Sequence, residues 1–352
     1  MRALILCLIG AAIVGGGVAG CGGSDGPPDL TAYFKTTPYA NAACNAADQR
    51  LSGQRPMRLY TNGNVALLPT TQGLASYYQR HSLAFVTDAV AETTTMAYAL
   101  DTDEASLDRA LVAAFPGVDL SNEAALMAMD PALYNQILTF VANFVLKPMV
   151  DFAAAHSASG NGVTNLVVLS NLERPGGAPI SDPGTSLAGL SVSPALLAEF
   201  ARTMPDESNI WKGVNFPDGF SPMMVLGNNV LSQARIIDPV LDDLVTAHEF
   251  GHSGALTHVT VPLNLMYPSV TPGVDDCADS LDDAQLTTLA TTYGLGTSAA
   301  SGALLADGAP RTATGAARPL PLFPPASLRA MLGGDRRATR AFVDLLFHGP
   351  AL

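Results

Sequence analysis

Apolar and polar positions recur along this chain with two periods, and those periods mark out its elements. In TTQGLASYYQRH, Leu74, Tyr77, Tyr78 and His81 fall at i, i+3, i+4 and i+7, which predicts an amphipathic helix opened by Pro69 and Thr70. RLYTNG (58–63) suits a strand running into a turn, and LAFVTDAVA (83–91) reads as the next strand. Residues 103–156 are helical in character, in successive runs separated by Pro-Gly and Asp-Pro breaks. Their most apolar part, 137–146, is too short to span a membrane, and Asn143 and Lys147 interrupt it, so it reads as a buried helix. TNLVVLSN (164–171) is a β run followed by the loop ERPGGAPISDPGTS. SLAGLSV (186–192) predicts a short exposed strand, and SPMMVLGNNVL (221–231) another apolar strand. Asp238 then caps a helix, DPVLDDLVTAHEFGHS, with Pro239 at its first position. Beyond Gly296 the chain is rich in Gly, Ala, Pro and Ser, and it ends in SLRAMLGGDRRATRAFVDLLFHG, helical in parts.

Composition sharpens this picture at the N-terminus. The chain has 352 residues, 48% hydrophobic and only 14% charged, which suits either a membrane protein or a lightly charged exported one. Only the run from Ala3 to Gly20 approaches spanning length, and it reads as a signal peptide: Arg2, then LILCLIGAAIV, then the small residues Ala19 and Gly20. VAGC, ending in Cys21, resembles the lipobox of bacterial lipoproteins. That resemblance implies cleavage before Cys21, lipid on its sulfur, and a mature protein anchored to a membrane in the cell envelope; a plain secretory signal followed by a chance Cys is the alternative. In an oxidising compartment the remaining pair, Cys44 and Cys277, most simply forms one disulfide. The alternative role for Cys44 is to cap a metal in a latent form. Net charge is −13 and no basic patch tracks phosphates, so nucleic acid is not an expected partner.

The chemistry concentrates in HEFGHSGALTH (248–258), which holds three of the chain's six histidines. On a helix, His248 and His252 leave the same face and can meet one metal ion. Neutral imidazole suits Zn²⁺, and Glu249, next along, can reach a metal-bound water without ligating the metal, acting as general base and then acid. His258 can supply the third ligand if the helix stops after His252, and Gly254 is the expected left-handed stop. His81, His156 and His348 lie outside any motif and read as structural or solvent-facing.

HEFGHSGALTH followed by NLMYP (264–268) resembles the metzincin zinc endopeptidases, especially their matrixin branch. SLDDAQLTTLATTYG (280–294) resembles the helix that closes matrixin catalytic domains; Ser280 and Asp283 suggest a capping box, and Leu286, Leu289 and Tyr293 an inner stripe. The resemblance implies an α/β (α+β) fold, a mixed twisted sheet with an active-site helix and a C-terminal helix after a Met-turn. Met266 takes the Met-turn position, and one catalytic Zn²⁺ is held by His248, His252 and His258. It also implies a peptide or protein substrate laid antiparallel along SLAGLSV, with 267–277 walling the pocket for the side chain after the scissile bond. The glycine of the family pattern would stand at 255, where this chain has Ala255, so the turn is expected to be rebuilt by one residue. No histidine lies between His156 and His248 to hold a second zinc; Asp182 could serve calcium, or simply a solvated turn. The expected organisation is a signal peptide (1–20), a tether (21–55) and a zinc protease domain (56–295) with a helical insertion (103–156). Residues 296–352 complete it as a linker and short C-terminal segment. The competing function is an inactive surface lipoprotein of the same fold that binds peptides or proteins.

Overall fold

Short runs of Val, Leu and Met build a sheet that is buried on both faces. The structure, a computed structural model, describes residues 51–62, 74, 77–78, 82–87, 92–101, 103–156, 162–172, 187–203, 209–237, 241–259, 264–267, 281–297 and 323–348. Five strands, β1 (Leu51–Thr61), β2 (Leu83–Thr87), β4 (Thr164–Leu169), β5 (Gly189–Val192) and β6 (Met223–Gly227), lie in the order β2-β1-β4-β6-β5. All are parallel except β5, which runs antiparallel to β6 at one edge. Two short strands, β3 (Glu92–Thr93) and β7 (Gly296–Thr297), also pair with β1. The result is a mixed α/β protein with a mostly parallel sheet, whose continuous apolar strands are the signature of burial from both sides.

Alternate side chains serve two cores. Leu166, Val168, Met224 and Leu226 face helices α6 (Leu241–Ser253) and α7 (Asp283–Tyr293). Val167, Leu169, Val225, Leu190 and Val192 face a larger helical layer. That layer contains α1 (Glu104–Ala114), α2 (Glu123–Ala128) and α3 (Pro131–His156). It also contains α4 (Pro194–Thr203) and the C-terminal helices α8 (Pro325–Leu332) and α9 (Arg336–His348). The apolar run is longer than the sequence suggests, and by length and composition α3 could cross a membrane; Ile137, Leu138, Val141, Val145 and Met149 are nonetheless buried in this core, the buried helix the sequence predicts. It continues through Lys147 and Pro148 as one helix, and Lys147 points outward to pair with Asp151.

Several expectations need correction. β1 begins at Leu51, inside the stretch read as a tether, since Leu51 pairs with Thr297 and is fully buried. β5 is not exposed: all four residues are buried, because each face meets a helical layer, although no strand covers its outer edge among the described residues. SPMMVLGNNVL is a strand only as far as Gly227; helix α5 (Asn228–Ile237) starts at once, as the Asn-Asn pair disfavours strand and opens a helix. The cap at α7 is Asp282 with Gln285 rather than Ser280 with Asp283. Finally, 296–352 is more than linker and loose end, since Phe323, Leu328, Phe342 and Leu346 enter the core. Leu74, Tyr77 and Tyr78 are helical and buried as predicted. His81, Asp238 and Pro239 lie outside the described residues.

Candidate metal centre

Helix α6 carries His248 and His252 one turn apart on a single face, 8% and 0% exposed. The helix ends in a Schellman motif: Leu256 N–H donates to the Gly251 carbonyl at 3.0 Å and Ala255 N–H to the His252 carbonyl at 2.9 Å. The left-handed residue is Ala255, with φ 71°, and not Gly254 as the sequence suggests. A Cβ on Gly254 would lie 2.3 Å from Leu289 Cδ2 and 2.9 Å from Tyr293 Cε2. Glycine at 254 therefore serves close packing against α7, while Ala255 takes the strained backbone. The turn keeps its ordinary register and is not rebuilt.

That turn returns His258 to the other two histidines. The Nε2 atoms of His248 and His252 are 3.0 Å apart, and His258 Nε2 lies 3.1 Å from the first and 3.2 Å from the second. His248 Nδ1 is 2.6 Å from the Leu265 carbonyl and His252 Nδ1 is 2.8 Å from the Leu256 carbonyl. A carbonyl oxygen only accepts, so in both rings Nδ1 carries the proton and a neutral ring presents a bare Nε2. Bare nitrogen lone pairs converging at such distances repel unless a cation lies among them. Tetrahedral coordination at 2.0–2.1 Å puts ligand nitrogens about 3.3–3.4 Å apart, a small adjustment from what is seen. The three histidines are thus close enough to hold one metal ion, with the carbonyl-bound Nδ1 atoms fixing two of the rings.

Glu249 is 5% exposed and lies over β5, where a Cβ on Gly189 would come 2.5 Å from its Cγ and 2.8 Å from its Oε1. Ser191, two residues on and on the same face, donates its hydroxyl to the Glu249 carbonyl at 2.7 Å. Tyr78 donates to the Ala247 carbonyl at 2.9 Å from the opposite flank. Met266 is fully buried in the turn Asn264–Tyr267, closed by Tyr267 N–H on the Asn264 carbonyl at 3.0 Å. Its sulfur would be 2.5 Å from a Cβ on Gly251, so that glycine admits the methionine against the helix between the two histidines. Asn264 anchors the turn, accepting from Met266 N–H at 2.8 Å and exchanging amide hydrogen bonds with Gln285 at 2.9 and 3.1 Å.

Sequence reasoning named His248, Glu249, His252, His258 and Met266, and all five gather here. It missed Gly189, although a glycine inside a strand is itself a sign of close approach. It also gave no role to Asn264, Gln285 and Ser253, although each lies within a stretch that carries the resemblance. Tyr293 it assigned only to packing. Its hydroxyl is 2.5 Å from Ser253 Oγ, and burial pushes its pKa up to about 12. Cys21, Cys44, Cys277, Asp182 and the wall 268–277 lie outside the described residues. His156 stacks on Phe152 with ring centroids 4.1 Å apart, a packing role. No family model matches the chain, and no curated protein matches it.

Proposed function

We propose that the protein is a zinc endopeptidase of the metzincin type, with His248, His252 and His258 as ligands and Glu249 as general base. The observation that carries the reading is the convergence of three Nε2 atoms, two with their Nδ1 protons committed to carbonyls, beside a buried carboxylate on the same helix. An all-nitrogen set of three leaves the fourth tetrahedral position to an exchangeable ligand, which fits zinc in a catalytic rather than a structural role. When bound, zinc supplies a Lewis acid that acidifies water to a pKa of about 7 and polarises the scissile carbonyl. The protein's own part is positional. Glu249 takes the proton of the attacking water and returns it to the leaving amine. Ser191 and Gly189 hold that carboxylate-bearing turn against β5. The outer edge of β5, which no strand pairs among the described residues, would take an extended peptide as one more antiparallel strand, its scissile bond passing Glu249.

The shifted glycine raised the alternative of an inactive peptide-binding module. Ala255 in the left-handed position speaks for the enzyme, because the turn still brings His258 beside His248. The test is cleavage of a mixed peptide library, with zinc content measured on the same samples. Native protein is expected to bind one zinc and to cut. Glu249→Ala is expected to keep the zinc and lose roughly a hundred- to ten-thousand-fold in rate. Zinc bound without cleavage by the native protein would favour the binding module, and no zinc would end the reading.

A further inference from the structure

The turn that brings back His258 contains a residue in a conformation its side chain disfavours, and such a backbone persists only where the surroundings hold it. The surroundings here are one face of α7. Leu289 and Tyr293 pack so closely on the turn that only glycine fits at 254. The Tyr293 hydroxyl meets Ser253 Oγ at 2.5 Å and the Phe250 carbonyl at 3.3 Å, and Ser253 Oγ itself donates to that carbonyl at 2.9 Å. The two hydroxyls and that carbonyl together make a hydrogen-bonded relay from Tyr293 into the last turn of α6. The tyrosine is itself fixed. Its ring stacks on Phe250 with centroids 5.0 Å apart, and the guanidinium of buried Arg55 lies 4.2 Å from its centroid. Arg55 Nε donates to Thr164 Oγ1 at 2.8 Å, so the relay ends in the central strands β1 and β4.

We propose that Tyr293 is a positioning residue for the three-histidine site: its hydroxyl clamps the end of α6 through Ser253 and keeps Ala255 left-handed, so that His258 stays in reach of His248 and His252. This rests on the metal reading of those histidines. None of these residues touches the metal or substrate. Their effect is on how often the turn is closed, and hence on metal affinity. The relay sits one residue from His252 and two from Ala255, so no long path of coupling is needed.

The experiment measures zinc affinity by chelator competition, the visible spectrum of the Co²⁺-loaded protein, and thermal stability in chelator. It uses the native chain, Tyr293→Phe, Ser253→Ala, and each combined with Ala255→Gly. Tyr293→Phe keeps the ring and its stacking. It is expected to weaken zinc binding on the order of tenfold, with a lower four-coordinate Co²⁺ absorbance, and Ser253→Ala to do the same. In the Tyr293→Phe background, Ala255→Gly removes the penalty at the left-handed position and is expected to restore affinity by about fivefold. In the native background, where the turn is already held, it changes affinity by no more than about twofold. A merely structural tyrosine would lower melting temperature in chelator yet leave the affinity, the Co²⁺ spectrum and the Ala255 coupling untouched, and that result overturns the proposal. If the native chain binds no zinc at all, the metal reading fails first, and the proposal with it.

Discussion

At the scale of single residues, three glycines and an alanine set the geometry of the site: Gly189, Gly251, Gly254 and Ala255. Gly189 leaves space that the Glu249 side chain fills; an added Cβ would lie 2.5 Å from Cγ and 2.7 Å from Cδ. These are mid-chain atoms, so no rotation of the carboxylate alone relieves the clash. Gly189→Ala is therefore expected to lower peptidase rate by roughly a hundredfold, the low end for a displaced general base. Zinc should remain bound one to one, because none of the three histidines is touched. Rate and metal content measured together check this: undiminished cleavage would show that Glu249 is not held by β5, and loss of zinc would show a broader collapse. Ala255 is a different case, since its left-handed φ costs about 1–2 kcal/mol. The sequence displays a glycine near the helix end but not which residue turns left-handed. That depends on the approach of Leu289 and Tyr293, more than thirty positions away in the chain, which local pattern does not record.

Elements whose periodicity is strong were legible, and those decided by a neighbour were not. The helices of 103–156, strand β4, helix α6 and the inner stripe of α7 follow from pattern alone, as each buries a face matching its period. The burial of β5 depends on which layers cover the sheet, and β6 ends at Gly227 where the Asn-Asn pair opens α5 inside a run that otherwise reads as apolar strand. The cap of α7 was misplaced for a similar reason. Asp282 accepts from Gln285 N–H at 2.8 Å and Gln285 Oε1 accepts from Asp282 N–H at 2.9 Å, but Gln285 also pairs with Asn264. One side chain thus ties the start of α7 to the turn carrying Leu265 and Met266. Through the Leu265 carbonyl on His248 Nδ1, that turn fixes one ring of the three-histidine cluster. Gln285→Ala keeps the backbone N–H that Asp282 accepts from, but removes the reciprocal half of the capping box and the amide pair together, leaving Asn264 half-satisfied in a partly buried position. A loss of about 2–3 kcal/mol in urea denaturation is expected, larger than an ordinary cap deletion. A loss below about 1 kcal/mol would mean that the tie to the turn contributes nothing beyond the cap.

For the whole molecule, the helices of 103–156 and the C-terminal residues 323–348 form one layer, not an insertion and an appendage. Tyr134 of α3 donates to the Phe323 carbonyl at 2.8 Å, and Trp211 Nε1 donates to the Leu346 carbonyl at 3.0 Å. Helix α8 packs on α1 and α2, and α9 reaches β5, the strand against which Glu249 lies. Sequence hid this because the Gly/Ala/Pro-rich stretch after 297 looks like the end of a domain, whereas hydrophobic burial is indifferent to chain distance. Removing 323–348 would uncover the apolar face of β5, Trp211, Tyr134 and the faces of α1 and α2 on which α8 packs, and each large side chain exposed forfeits about 1.5–3 kcal/mol. Several such losses exceed the usual net stability of about 5–15 kcal/mol. A chain ending at residue 322 is thus expected to lose its cooperative melt. The emission of Trp211, the chain's single tryptophan and 3% exposed in the intact fold, should shift to the red. If the shortened chain instead melts cooperatively with a blue-shifted tryptophan, the C-terminal helices are dispensable, and the sheet's second face must find cover elsewhere in the same layer.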